Sequence, residues 1–332
     1  MSESLLLILI IAAALMYDFV NGFHDAANAI ATTVNTHALS PRNAIIMART
    51  LNFVGALLHT GVAYTVGKGV VNSELITLPL LLAAVSGAIL WGYLTWYFGL
   101  PSSSTHALIG GLIGVCLFNY HFDFSILLET GIRKIAIAMI VSPLAGGIIG
   151  MTLITIFSWS VWRMQYRRTA QFFKKLQVLS AAYVSLTHGM NDAQNAMGIM
   201  TIALVSAGAI SHFDVPIWVR VASALMIGLG TSVGGWRIMK TMGRKMTRLS
   251  DPIDGCAAET ATGTVILVTA LTGTPISTTQ VATGSITGTA LAYSFGNVNW
   301  RVLSNIFLAW LLTLPGAAIL GILVLLLLRL IS

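Results

Sequence analysis

Charge is the scarcest feature of this 332-residue chain. Asp, Glu, Lys and Arg make up 9% of it, against 56% hydrophobic residues. Soluble domains carry about a quarter charged residues, so an ordinary soluble enzyme or binding module is excluded and a polytopic membrane protein is implied. Cysteine is almost missing as well. Cys116 and Cys256 are the two present, each in or beside an apolar run, which gives neither a disulfide framework nor metal-ligand spacing. Long hydrophilic stretches are also lacking, so no soluble domain fits between the apolar runs. Nor does a basic stretch open the first run, "LLLILIIAAALMYDFV". Polar residues follow it without a break, and it reads as a spanning helix rather than a signal peptide.

What is present is a succession of apolar runs of about 20 residues, enough to cross a bilayer. "LPLLLAAVSGAILWGYLTWYF" and "IFLAWLLTLPGAAILGILVLLLL" are two of them. The net charge is +7, but ten of the 18 Lys and Arg residues lie in two short stretches. One holds Arg163, Arg167, Arg168, Lys174 and Lys175; the other holds Arg237, Lys240, Arg244, Lys245 and Arg248. Both read as cytoplasmic loops under the positive-inside rule. No nucleic-acid partner is expected from charge placed this way.

Two phrases recur in order. "NGFHDAANA" (21–29) returns as "HGMNDAQNA" (188–196), and "GLPSSSTHALIGGLIG" (99–114) returns as "GTPISTTQVATGSITG" (273–288). The chain is therefore an internal duplication, read as a first transmembrane repeat over 1–160, a basic cytoplasmic linker over 161–171 and a second repeat over 172–332. Segments at 4–33, 42–66, 77–98, 101–118 and 132–160 match segments at 172–206, 216–236, 255–272, 275–293 and 301–330. With the N-terminus outside, both basic stretches, Arg42 and Arg301 fall inside, and so does the linker; both termini end outside. Five segments per repeat invert the second copy, the build expected of a secondary transporter. The expected fold is thus an all-α polytopic membrane protein. Its two inverted-topology repeats place broken or re-entrant helices around a midplane site.

The repeated phrases suggest the chemistry. Asp25 and Asn28 share one helix face at a spacing of three, as do Asp192 and Asn195. A carboxylate at mid-bilayer costs at least a few kcal/mol and marks an ion path or a paired site. Beside an amide oxygen it suits Na⁺, or it carries a proton; a polar clasp between helices is the bland alternative. Gly22 and Gly189 are expected to let their helices unwind there. In "PSSST" and "PISTT" a proline, suited to a first helical turn, precedes hydroxyls that can cap a helix end. Such an end binds oxyanions, and N-capping with small-residue packing is the alternative. An anion close to Asp25 and Asp192 requires cations between them, so the two bind well only together. Asp18, two turns before Asp25, and Glu259 are further candidates for cation or proton handling.

These phrases resemble the inorganic phosphate transporter (Pit/PiT) family. "NGFHDAANAIAT" and "HGMNDAQNAMGI" look like its duplicated G-x-N-D-x-x-N-A motif, and "TWYFGLPSSSTHALIG" like the matching stretch of bacterial low-affinity permeases. The resemblance implies a dimeric transporter of the cell (inner) membrane, driven electrochemically, that symports inorganic phosphate with H⁺ or Na⁺. It assigns Asp25, Asn28, Asp192 and Asn195 to the cation side. Ser103, Ser104, Thr105, Ser277, Thr278 and Thr279 fall on the phosphate side. No catalytic residue, resident metal or cofactor is implied. His24 and Gln280 depart from the family pattern, and the large insert of longer relatives is absent. Relatives that carry a neutral metal–phosphate complex, or sulfate, leave the cargo open. An anion channel would have no need of paired carboxylates, and an intramembrane hydrolase would need one asymmetric catalytic cluster.

Overall fold

A computed structural model describes residues 2–331, and among them it contains helices and turns with no β-strand. The helices fall into two series with the same order. The first is α1 (Glu3–Asn35), α2 (Pro41–Ala56), α3 (Gly61–Lys68), α4 (Leu78–Phe98), α5 (Ser104–Asn119) and α6 (Glu129–Ser160). The second is α7 (Tyr166–Ser206), α8 (Ile217–Val233), α9 (Trp236–Lys240), α10 (Pro252–Leu271), α11 (Thr278–Leu291) and α12 (Trp300–Ile331). Even the isolated β-bridges repeat, Val71 with Leu127 in the first series and Thr247 with Val298 in the second.

The helices α1, α4, α6 and α12 are long and apolar enough to cross a membrane, so the protein is a multi-pass membrane protein. The segments expected as continuous at 42–66 and 216–236 are instead bent pairs. α2 meets α3 at 71°, and α8 meets the stretch Trp236–Lys245 at 58°. The second bend falls on Gly234 and Gly235, with Gly234 at φ 75°. No such breaker marks the first. There Gln194 of α7 accepts the amides of Val62 and Ala63 at 2.6 and 3.1 Å, capping a new helix start. Of the first basic stretch only Arg163 lies in a turn, while Arg167, Arg168, Lys174 and Lys175 are on α7. The second basic stretch is likewise not a loop. It forms α9 and a π turn (Thr241–Lys245) that exposes its charges and buries Met239, Met242 and Met246.

Packing exchanges elements between the two series. α5 lies against α4 and α12, as α11 lies against α10 and α6; α2 packs on α7, as α8 packs on α1. Gly22 and Gly189 serve this exchange rather than unwinding, and both helices run through them unbroken. A Cβ at Gly22 would sit 2.3 Å from the carbonyl oxygen of Ile227, and one at Gly189 would sit 2.1 Å from that of Asn52. Backbone this close admits no side chain.

The turns before α5 and α11 are built alike. α4 and α10 end in left-handed glycines, Gly99 (φ 66°) and Gly273 (φ 63°). The following amides of Leu100 and Thr274 reach back to the carbonyls of Thr95 and Thr269 at 2.9 Å, a Schellman ending. Each turn is then held by the other series. Thr241 donates to the carbonyl of Gly99 at 2.9 Å, and Thr65 to that of Gly273 at 2.7 Å. α5 and α11, at 16 and 14 residues, extend only about 24 and 21 Å at 1.5 Å per residue, short of a core about 30 Å thick.

The close α7–α2 approach predicts that Gly189→Val destabilises the detergent-purified protein by at least the roughly 1–3 kcal/mol typical of overpacking. Gly296→Ala, where a Cβ meets only Ser294 Oγ at 3.6 Å, should leave the melting temperature unchanged. Equal melting of both variants with wild type would contradict the packing described.

Candidate functional site

Asp25 on α1 and Asp192 on α7 are both 1% exposed, and the N-terminal turns of α5 and α11 point their hydroxyls at them. Ser104 donates to Asp25 Oδ2 at 3.0 Å, and its counterpart Thr278 donates to Asp192 Oδ2 at 3.2 Å. Thr279 donates to Asp25 Oδ1 at 3.1 Å and accepts from Asn28 Nδ2 at 2.9 Å. Its counterpart Thr105 accepts from Asn195 Nδ2, also at 2.9 Å. Asp25, Asn28, Asp192, Ser104, Thr278 and Thr279 thus form one hydrogen-bonded cluster, its two parts joined by Asn28 Nδ2 donating to Thr278 Oγ1 at 3.4 Å, and Asn195 with Thr105 forms a separate pair.

The direction of these bonds decides what the cluster offers. A carboxylate only accepts, so Thr279 must donate to Asp25 and accept from the Asn28 amide. That turns the Asn28 NH₂ toward Thr279 and its oxygen away. Asn28 Oδ1, Asn195 Oδ1 and Asp192 Oδ1 are all buried and have no donor. Buried acceptors are normally satisfied. Two orphaned amide oxygens and the free oxygen of Asp192, beside the carboxylate of Asp25, make a set suited to a hard cation.

Ser103 and Ser277 have a different part. Each is an N-cap, accepting the amide of His106 at 3.1 Å and of Gln280 at 3.2 Å. Pro101 and Pro275 accordingly lie outside α5 and α11, ahead of these caps, and not in the first helical turn as expected. A Ser side chain at the cap satisfies an amide that proline could not reach. The amides at the start of each helix that the cap does not reach still face outward, at the positive end of the helix dipole.

Two histidines join the site that the sequence reading did not include. His24 Nδ1 donates to Asp25 Oδ1 at 2.6 Å. Its Nε2 lies 3.2 Å from Thr95 Oγ1 and 3.3 Å from Ser102 Oγ, which ties the α4–α5 turn to the carboxylate. His188 Nε2 lies 3.3 Å from Asp192 Oδ2, and its Nδ1 pairs with Asn52 Oδ1 at 3.1 Å. Their positions one residue before and four residues before an aspartate were the available signal. Ligand atoms of Asp25, His188 and Asp192 lie within 4.8 Å of one another, close enough to hold a metal ion.

Glu259 and Asp18 lie outside the cluster. Glu259, on α10, accepts from Thr32 and Thr33 of α1 at 2.5 Å each. It also accepts from Gln177 at 3.1 Å and Ser180 at 2.6 Å, both on α7. Its carboxylate is therefore well satisfied, one helical turn along α1 from Asn28. Asp18, fully buried, makes no hydrogen bond through either oxygen.

Comparison with known proteins identifies the family. Residues 21–321 match the model of the phosphate transporter family. The chain is 42% identical over 320 residues to a probable low-affinity inorganic phosphate transporter of Bacillus subtilis, covering 96% of this chain and 95% of that one. It is 43% identical over 320 residues to the corresponding protein of Rhizobium meliloti, covering 95% and 94%. A solved structure described as the sodium-dependent phosphate transporter superposes with a TM-score of 0.91 at 26% identity, over 98% of this chain and all of that one. By family model, relatives and fold, this chain belongs to the phosphate transporter family, whose members are membrane transporters and not enzymes.

Proposed function

We propose that this protein takes inorganic phosphate into the cell by symport with a cation, H⁺ or Na⁺. Asp25, Asn28, Asp192 and Asn195 hold the cation. The N-terminal turns of α5 and α11, with Ser104, Thr105, Thr278 and Thr279, hold phosphate, while Ser103 and Ser277 fix those turns. The halves 1–160 and 172–332, joined by the basic linker 161–171, are inverted copies that rock about this shared site. The protein sits in the inner membrane as a homodimer with both termini outside.

The observation that carries this reading is the direct bonding of the α5 and α11 hydroxyls to both carboxylates. Phosphate at those helix ends would lie about 5 Å from Asp25 and Asp192. Each carboxylate would then repel a divalent anion by several kcal/mol at an effective dielectric near 20. A cation on the orphaned oxygens removes that repulsion. Cargo and driving ion therefore depend on one another, which is what coupling requires. A second reading has its own support. The Asp25–His188–Asp192 group suits a divalent metal, so that phosphate would travel as a neutral metal complex.

Radiolabelled phosphate uptake into proteoliposomes tests the function, with Na⁺ and pH gradients imposed separately and divalent metal present or chelated. Accumulation against the phosphate gradient under one cation gradient is expected; mere equilibration under both would indicate a channel. Asp25→Asn with Asp192→Asn should abolish accumulation. Asn195→Ala should raise the half-saturating cation concentration by at least about tenfold, equivalent to about 1.4 kcal/mol. Thr279→Val should impair uptake, and Thr279→Ser, which keeps the hydroxyl between Asn28 and Asp25, should restore it. Glu259→Gln should slow uptake without weakening phosphate binding; loss of binding together with thermal stability would make Glu259 a structural residue.

A further inference from the structure

The polar face of α1 runs further than the central cluster needs. Asp18, Asn21, Asp25, Asn28 and Thr32 succeed one another at alternating spacings of three and four, a single stripe along the helix. Asp18-x-x-Asn21 is the Asp25-x-x-Asn28 pair written seven residues earlier. The second series has no such copy. Before Asp192-x-x-Asn195, α7 carries Ser185 and His188 in the equivalent places. Half of the molecule therefore has a carboxylate–amide pair that the other half lacks.

This pair is also wholly without hydrogen-bond partners by distance, and it includes a carboxylate. Among the described residues, the other buried acids all have donors: Asp25, Asp192 and Glu259 as above, and Asp254 from the Tyr293 hydroxyl at 2.8 Å. Asp18 has none. Neither oxygen of Asp18, nor the amide oxygen or nitrogen of Asn21, has a partner, and these residues are 0% and 1% exposed. Ser223 Oγ is likewise buried, and it is the hydroxyl that approaches Asp18, from α8. That meeting follows from the α1–α8 packing, since Ile227, one turn beyond Ser223, lies against Gly22. The titratable groups facing Asp18 are Tyr17 on its own helix and Asp192 from α7, and neither brings positive charge. An ionised carboxylate buried without donor or counter-charge is costly by several kcal/mol. A carboxylate, an amide oxygen and a hydroxyl form the oxygen set that a hard monovalent cation takes.

We propose that Asp18, with Asn21 and Ser223, is a further binding position for a monovalent cation, Na⁺ or a proton. It lies one heptad from the central pair on α1. One more positive charge thereby accompanies each phosphate, and the asymmetry between the halves sets the stoichiometry. This inference rests on the symport reading above.

The test is the steady-state phosphate accumulation ratio in proteoliposomes at clamped zero potential. A tenfold Na⁺ gradient is imposed in one arm and a one-unit pH gradient in the other. Each coupled cation multiplies the ratio about tenfold under such a gradient. Asp18→Ser, which gives α1 the residue of its counterpart Ser185, should lower the ratio about tenfold in the arm of the ion held at Asp18, while net accumulation persists. A ratio equal to wild type in both arms overturns the proposal. Failure of wild type itself to accumulate phosphate would overturn the symport reading instead. Should Asp18→Ser not transport, cations are counted on the detergent-purified protein at saturating phosphate, by ²²Na⁺ equilibrium dialysis and by proton uptake from weak buffer. One fewer cation per protein supports the site, and an unchanged count overturns it.

Discussion

Two carboxylates buried against each other inside an apolar molecule are the constraint on which the rest of this structure depends. Asp25 and Asp192 repel, and their desolvation is costly unless each is met by donors. The fold answers with two helix ends. α5 and α11 stop short of a full crossing so that their N-terminal turns, rich in hydroxyls and carrying a positive dipole, begin beside the carboxylates. Everything that places those turns follows from this need. The Schellman endings at Gly99 and Gly273 reverse the chain, the caps Ser103 and Ser277 start the helices, and Thr65 and Thr241 hold each turn from the opposite series. Because each half braces the other's half-helix, the site belongs to neither half alone.

Under the proposed function the same donors would serve two chemistries. A hydroxyl that donates to a carboxylate when no anion is bound can turn to a phosphate oxygen once a cation has neutralised that carboxylate. The amides cannot follow. Asn28 and Asn195 commit their NH₂ groups to Thr279 and Thr105 and keep their oxygens free. Under the proposed symport this division would have the cation bind before the anion, an order suited to coupling.

Much of this was legible in the sequence because duplication writes the site twice. Asp25 with Asn28, Asp192 with Asn195, and the two hydroxyl runs were found by pattern, and the structure unites them. The bends were less legible. Gly234 and Gly235 announce one, but "LLHT" at 57–60 contains neither glycine nor proline, and the amides that open α3 are met by His59 from within the turn and by Gln194 from a distant helix. Gly22 and Gly189 illustrate a related limit. Glycine in a membrane helix signals either unwinding or close backbone approach, and only the position of the partner helix distinguishes them. His24 and His188 went unassigned for a similar reason. Adjacency to an aspartate is visible in sequence, whereas their bonds to Thr95, Ser102 and Asn52 arise from tertiary packing.

The central claim is that cation and phosphate bind cooperatively at one cluster. Its most direct measurement is calorimetric titration of phosphate into the detergent-purified protein across a series of Na⁺ concentrations and pH values. The phosphate Kd is expected to fall by at least about tenfold as the coupling cation saturates, with the reciprocal effect of phosphate on cation affinity. A phosphate Kd that stays constant across both series would contradict it.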